Sequence, residues 1–211
     1  MSSEETEMLA PLSKKYCDVA GNVLSRICLL NYDITKLKVD AIVNAANRGL
    51  KGGGGVDGAI HLACGHRELQ KECQELGHCD TGDAKATSAC RLTANGVKKI
   101  IHTVGPIVNS TSNQLMNGYR EQLVSCYSKS LEVAVQNGCR TIAFPCISTG
   151  IYGYPNDDAA ESVGKFLIDW LTTNSDNSKI DMVVLCTFLQ KDRQLYENFF
   201  DKYAEFLKKN D

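Results

Sequence analysis

The chain is predicted to fold as an α/β sandwich, a largely parallel sheet covered on both faces by helices. Short apolar runs alternate with longer stretches of helical periodicity along the 211 residues, the pattern of strands joined by helical crossovers. Several runs are unbroken, such as Met182-Val183-Val184-Leu185-Cys186, as in strands buried on both faces. Two loops rich in glycine follow the ends of such runs, where open α/β sheets bind ligands.

Residues 1–12 are rich in Ser and Glu and are expected to be disordered, leaving 13–211 as a single domain. Ser25–Tyr32 reads as the first strand, and Asp33 ends it. That carboxylate either accepts from a ligand amine, such as the exocyclic amine of adenine, or caps a short helix. The further strands are Val39–Asn44, Lys85–Cys90, Lys98–Val104, Arg140–Cys146 and Lys179–Thr187. His102 and Cys90 fall inside strands and read as structural. A helix over Tyr119–Asn137 puts Leu123, Cys126, Tyr127, Leu131 and Ala134 on one face and stops at Gly138. Pro155 opens the next helix, with Asp157, Asp158 and Glu161 where negative charge suits the dipole and Phe166, Leu167 and Trp170 facing inward. Arg193–Lys208 closes the chain, with Leu195, Phe199, Tyr203 and Phe206 at helical spacing as core residues.

Composition narrows the function. Hydrophobic residues make up 43% and charged residues 23%, with a net charge of −2 and a pI near 6.1. No diffuse basic field exists to hold nucleic acid by counterion release, so direct nucleic-acid binding is not expected. A phosphate ligand must be held by backbone dipoles and a few placed groups, which favours a small nucleotide over a polymer. The ten cysteines include no CxxC pair, and residues 1–20 have no signal-peptide pattern. Reduced, mostly buried thiols in an intracellular protein (cytoplasmic, nuclear or both) are expected. The sequon Asn109-Ser110-Thr111 would then be unused. Cys64, His66, Cys73, His78 and Cys79 lie within sixteen residues but match no tetrahedral template, so no metal is expected. Neither is a membrane; the expected state is a monomer.

The most informative stretch is Ile42 to His61. An apolar strand ends at Asn44 and Asn47, four glycines run from Gly52 to Gly55, and Asp57 and His61 follow. Glycine costs more entropy to order than any other residue, so an ordered run implies a guest that approaches bare backbone. Successive N–H groups opening into a helix form an anion site. Asp57 and His61, four apart, share one helical face beside it. A P-loop needs Lys-Ser/Thr after its last glycine, and here Val56-Asp57 follows. Gly53, Gly55 and Gly58 fit the dinucleotide fingerprint only as any glycine run does. A second loop, Pro145 to Gly153, offers Ser148 and Thr149 hydroxyls with Gly150 and Gly153. Two such loops at two strand ends suit a diphosphate gripped from both sides.

These motifs resemble those of a macrodomain, specifically the MacroD-type branch. The resemblance covers about residues 25–206 and rests on Asp33-Ile34-Thr35, Val39 to Asn47, Gly52 to His61, Cys79-Asp80-Thr81-Gly82, Ile101 to Pro106 and Phe144 to Gly153. It implies a three-layer α/β/α sandwich around a six-stranded mixed sheet that binds ADP-ribose. It also implies removal of single ADP-ribose units esterified to Asp or Glu side chains of proteins, and hydrolysis of O-acetyl-ADP-ribose, with no cofactor. By position, Asp33 would accept from the adenine amine with Ile34 beside it, and Phe188 would stack on the ring. Gly54, Gly55 and Val56 would line one side of the diphosphate, and Ser148, Thr149, Gly150, Ile151 and Tyr152 the other. Asn47 would hold the distal ribose, Asp57 would orient or activate water, and His61 would support Asp57. A non-catalytic ADP-ribose reader is the alternative the resemblance leaves open.

Overall fold

The computed structural model describes residues 23–109 and 113–210. The expected disorder of residues 1–12, Cys17, and Ser110 and Thr111 of the sequon lie outside the described residues. In chain order the strands are β1 (Ile27–Asn31), β2 (Ala41–Ala45), β3 (Ala84–Ser88), β4 (Lys99–Thr103), β5 (Thr141–Phe144) and β6 (Met182–Thr187). The helices are α1 (Gly55–Cys64), α2 (His66–Leu76), α3 (Asn113–Gln136), α4 (Asn156–Thr173) and α5 (Gln190–Asn210).

The strands form one sheet in the order β1-β6-β5-β2-β4-β3. All neighbours are parallel except β3 and β4, so the sheet is mixed, with its antiparallel strand at an edge. Alternate residues of each buried strand feed two cores. Val43, Ile101, Ile142 and Val183 meet Leu123, Leu131, Val163, Trp170 and Phe200 from α3, α4 and α5. Ile42, Ile100, Ala143 and Val184 meet Ile60, Cys64, Leu69 and Cys73 from α1 and α2. The result is the expected three-layer α/β/α sandwich.

Several boundaries differ from the sequence expectation, each for a local reason. Ser25 and Arg26 belong to a 3-10 turn, Val23–Arg26, in which the Arg26 guanidinium donates to the carbonyls of Leu171, Asn177 and Ile180. Cys90 leaves its strand at φ 47° and opens a second 3-10 turn, Cys90–Asn95. Lys179 sits in a third such turn, ahead of β6. Helix α3 starts at Asn113, ahead of the expected Tyr119, and Pro155 is the N-cap rather than the first residue of α4. Helix α2 escaped the pattern because only Leu69 and Cys73 of its eleven residues are buried. In α5 the fully inward residues are Tyr196, Phe200 and Ala204, while Leu195, Phe199 and Tyr203 pack partly buried against the core. Phe206, expected in the core, is 62% exposed.

Cys64, Cys73, Cys79, Cys90, Cys126, Cys139, Cys146 and Cys186 are free thiols. Among the described residues no helix is long and apolar enough to cross a membrane.

Candidate active site

Four parallel strands, β1, β6, β5 and β2, end side by side on one edge of the sheet. Every residue expected to bind ligand follows one of those ends, in that order across the edge. Asp33 and Ile34 follow β1, Phe188 follows β6, the loop from Pro145 follows β5, and Asn47 with the glycine run follows β2. At about 4.8 Å per strand, β1 and β2 are about 14 Å apart.

At the β1 end, Asp33 caps the 3-10 turn Ile34–Lys36, accepting from the Thr35 N–H at 3.0 Å and the Thr35 hydroxyl at 2.7 Å, both at Oδ1. The capping alternative is thus realised, and these bonds hold the carboxyl below its usual range against modest burial. The group stays solvent-facing, with Oδ2 loosely paired to Lys36 at 3.5 Å. Phe188 is 86% exposed beyond β6, an unsupported aromatic face. Its carbonyl accepts from the Asn31 side chain at 3.3 Å, which ties the β6 end to the β1 end.

The β5 loop is built on backbone strain. Ser148 adopts φ 65°, its hydroxyl is buried with no partner, and it lies over Gly105, where a Cβ would come within 2.0 Å of Ser148 Oγ. Backbone bonds Tyr154 N–H to Ser148 O (3.0 Å) and Gly153 N–H to Gly150 O (3.0 Å) close the loop, and Val108 N–H to Tyr152 O (2.8 Å) pins it to the β4–α3 connection. Thr149 is tied back to Cys146 O, while Ile151 stands 92% exposed at the tip.

The β2 loop brings Asn47, Asp57 and His61 together. Gly52 and Gly55 take positive φ, 69° and 59°, where a side chain would strain the chain. Gly54 is the N-cap of α1 and, like the rest of the loop, offers no capping side chain, so the first N–H groups of α1 remain available to an anion. Asp57 is buried in the first turn of this helix. Its Oδ1 accepts from Asn44 Nδ2 at 2.7 Å and faces His61 Nε2 at 3.3 Å. Its Oδ2 faces the loop, where a Cβ on Gly53 would lie 3.2 Å from it and 3.8 Å from Asn47 Nδ2. Burial pushes the Asp57 carboxyl above its usual value, opposed by the Asn44 bond and by His61. Burial pushes His61 down, so the imidazole is neutral, with Nε2 3.3 Å from Asp57 Oδ1 and Nδ1 buried without a partner.

Asn47 departs from expectation in one respect. Its amide already donates to Gly52 O at 2.9 Å, and its carbonyl accepts from Lys51 N–H at 3.3 Å. It braces the glycine run as well as facing the site. The five Cys and His residues weighed as metal ligands are split: Cys64, Cys73 and Cys79 are buried, whereas His66 and His78 are exposed. Among the described residues no three His, Cys, Asp or Glu side chains could hold a metal together.

The Macro domain family model matches residues 43–163, from β2 into the first half of α4. The chain belongs to the Macro domain family. It is 46% identical over 198 residues to the ADP-ribose glycohydrolase MACROD2 of Xenopus laevis, covering 94% of this chain and 44% of that protein. It is 48% identical over 180 residues to the ADP-ribose glycohydrolase MACROD1 of Rattus norvegicus, covering 84% and 66%. The chain therefore spans less than two thirds of the length of these relatives. Among solved structures, the Trypanosoma brucei macrodomain in complex with ADP-ribose superposes with a TM-score of 0.77 at 34% identity, covering 91% of this chain and 74% of that one.

Two residues of this macrodomain's site were not foreseen. Asn44 is fully buried and holds Asp57, and His102, read as merely structural, holds Asn44 at 3.1 Å. Their signal was present: each is a polar residue inside an otherwise apolar strand, and buried polar groups persist only with partners.

Proposed function

We propose that this macrodomain binds ADP-ribose along the carboxyl edge of the sheet and hydrolyses single ADP-ribose units esterified to Asp or Glu side chains of proteins. O-acetyl-ADP-ribose, an ester on the same nucleotide, is proposed as a second substrate. The relatives' names and the ADP-ribose-bound neighbour support this reading. So does the order of groups along the edge. Asp33 and Phe188 offer an acceptor and a stacking face for adenine at β1 and β6, and the β5 and β2 loops offer backbone N–H groups for the diphosphate. Asn47 and Asp57 then lie where the distal ribose would end. No Lys or Arg occurs in either loop from 145 to 154 or from 52 to 57. The diphosphate would therefore be neutralised by oriented amides and the α1 dipole.

The observation that carries the hydrolase reading is the state of Asp57. A pure binding site has no need of a buried carboxylate with one oxygen tied down and the other directed at the ligand loop. Tied at Oδ1 and with its affinity for protons raised by burial, Asp57 is oriented and is a better base than a free carboxylate. Water held at Oδ2 would add across the ester, returning a carboxylic acid side chain and free ADP-ribose. His61, from the same helix, flanks the carboxylate with Nε2 3.3 Å from Oδ1. The free thiols suit a reducing intracellular compartment.

The test is Asp57→Asn assayed on a glutamate-linked mono-ADP-ribosylated protein. The amide keeps the shape, so ADP-ribose affinity should hold while release of ADP-ribose falls by about 10²–10⁴-fold. A parent protein that binds ADP-ribose but releases none would establish the reader function instead.

A further inference from the structure

The sheet register places three polar side chains in one row beneath Asp57. Asn44 on β2 pairs directly with His102 on β4. On the other side β3 pairs Lys85 with His102 and Thr87 with Ile100, so Thr87 is the diagonal neighbour of His102. All three are buried, on the face covered by α1 and α2. Asn44 Nδ2 lies 3.1 Å from His102 Nδ1, and His102 Nε2 lies 3.0 Å from Thr87 Oγ1. The Thr87 hydroxyl also reaches Ser88 O at 3.0 Å.

With Asp57 ionised, the protons along the row fall in one order, which leaves Asn44 Oδ1 buried without a partner and the Cys73 thiol 3.8 Å from His102 Nε2. An ionised carboxylate only accepts, so the Asn44 nitrogen must face Asp57 Oδ1. The same nitrogen faces His102 Nδ1, which must therefore be bare. Burial pushes His102 down to about 4, so the ring is neutral and its single proton is on Nε2. That proton points at Thr87 Oγ1, whose own hydrogen continues to Ser88 O. The opposite tautomer would ask Asn44 to turn its oxygen to the ring and hence to the Asp57 carboxylate, setting two acceptors against each other.

We propose that His102, held as its Nε2–H tautomer by Thr87, is a positioning residue that locks the Asn44 carboxamide so that Asp57 Oδ1 stays occupied and Oδ2 stays on the ligand side. The proposal rests on the hydrolase reading above. It explains why a strand interior carries a histidine and an asparagine where its neighbours are apolar. It also makes Thr87, remote from any ligand-facing loop, a residue that sets turnover without touching substrate.

The experiment pairs Thr87→Val, which keeps the shape and removes the hydroxyl, with Thr87→Ser, which keeps the hydroxyl. Thr87→Val should lower kcat by about 10–100-fold, the scale of a small misplacement at the reacting centre. KM and ADP-ribose affinity should not change, and Thr87→Ser should retain the parent kcat. Nitrogen NMR of the parent should show a bare Nδ1 and a protonated Nε2 on His102 at neutral pH. A protonated Nδ1, a parent kcat in Thr87→Val, or equal losses in the Ser and Val variants would each overturn the proposal. Where valine is not tolerated by the fold, Thr87→Ala removes the same hydroxyl and is judged by the same outcomes. A parent that turns nothing over fails the hydrolase reading instead, and the tautomer measurement still decides the assignment of the row.

Discussion

Replacing Gly105 by alanine tests whether the strained β5 loop is held in place by a bare backbone beneath it. The new Cβ would lie 2.0 Å from Ser148 Oγ, 2.6 Å from Ile147 Cγ2 and 3.2 Å from Ser148 Cβ. Ordinary contact starts near 3.4 Å, so the hydroxyl must retreat by about 1.4 Å, the difference between 3.4 and 2.0. Ser148 and Ile147 are 6% and 1% exposed, which leaves no open space to receive them. Ser148 already sits at φ 65°, a conformation that costs an L-residue about 1–2 kcal/mol, so the displacement adds to an existing strain. Overpacking of this kind costs about 1–3 kcal/mol. Loss of glycine from the unfolded chain returns about 0.4–1 kcal/mol, leaving a net destabilisation of up to about 2.6 kcal/mol. The larger effect should fall on the ligand, because the displaced segment supplies amides proposed to hold the diphosphate. Denaturant midpoints would read stability, and calorimetry with ADP-ribose would read binding. Ser148→Gly in the same background removes the nearest atom and the positive-φ strain together, so the two substitutions should couple by about 0.5–3 kcal/mol rather than add. Parent-like stability and affinity in Gly105→Ala, or strict additivity with Ser148→Gly, would refute the account.

Two further outcomes are expected. Asp33→Ala should weaken ADP-ribose binding by about 1–3 kcal/mol if the carboxylate accepts from adenine, and should also cost stability through the lost cap. Asp33→Ser separates the two, restoring the cap but not the affinity; unchanged affinity in Asp33→Ala would leave capping as the residue's whole role. Acidification should destabilise the fold between pH 6.5 and about 4, because unfolded His102 takes up a proton that the folded ring, pushed down by burial, refuses until about 4. At about 1.4 kcal/mol per pH unit for one proton, the loss is bounded at about 3 kcal/mol. Asp57, raised by burial, acts in the opposite sense, so the quantity to compare is the slope of the parent against His102→Gln; equal slopes would contradict the assignment.

The parts of the fold that were legible are those where burial alone writes the pattern. Unbroken apolar runs marked β2, β5 and β6 as doubly covered strands, and Gly138 after α3 marked a helix end. Lost from view were elements whose stability comes from elsewhere. Helix α2 buries only Leu69 and Cys73, too few apolar positions to mark its eleven residues as a helix. Strand β3 is legible over Lys85–Cys90, but as an edge strand with two of its five residues buried it lacks the period that would place its ends at Ala84 and Ser88.

The site divides along the same line. Side chains proposed to face the ligand lie in short loop segments, and a glycine run with a neighbouring Asp and His is visible as a motif. Side chains that hold those residues in place are neighbours only through the sheet. Asn44, His102 and Thr87 are separated by 58 and 15 positions in the chain and are brought together by strand order. No spacing rule reports such a row, because register is decided by the whole sheet. A different clue was available from energetics alone. A fully buried histidine and asparagine in apolar strands each require partners, since an orphaned buried polar group costs about 1–3 kcal/mol. Strand interiors offer partners only across the ladder. Two such residues in strands that flank one ligand loop therefore point to each other, and the group they jointly support is the buried carboxylate at the start of α1.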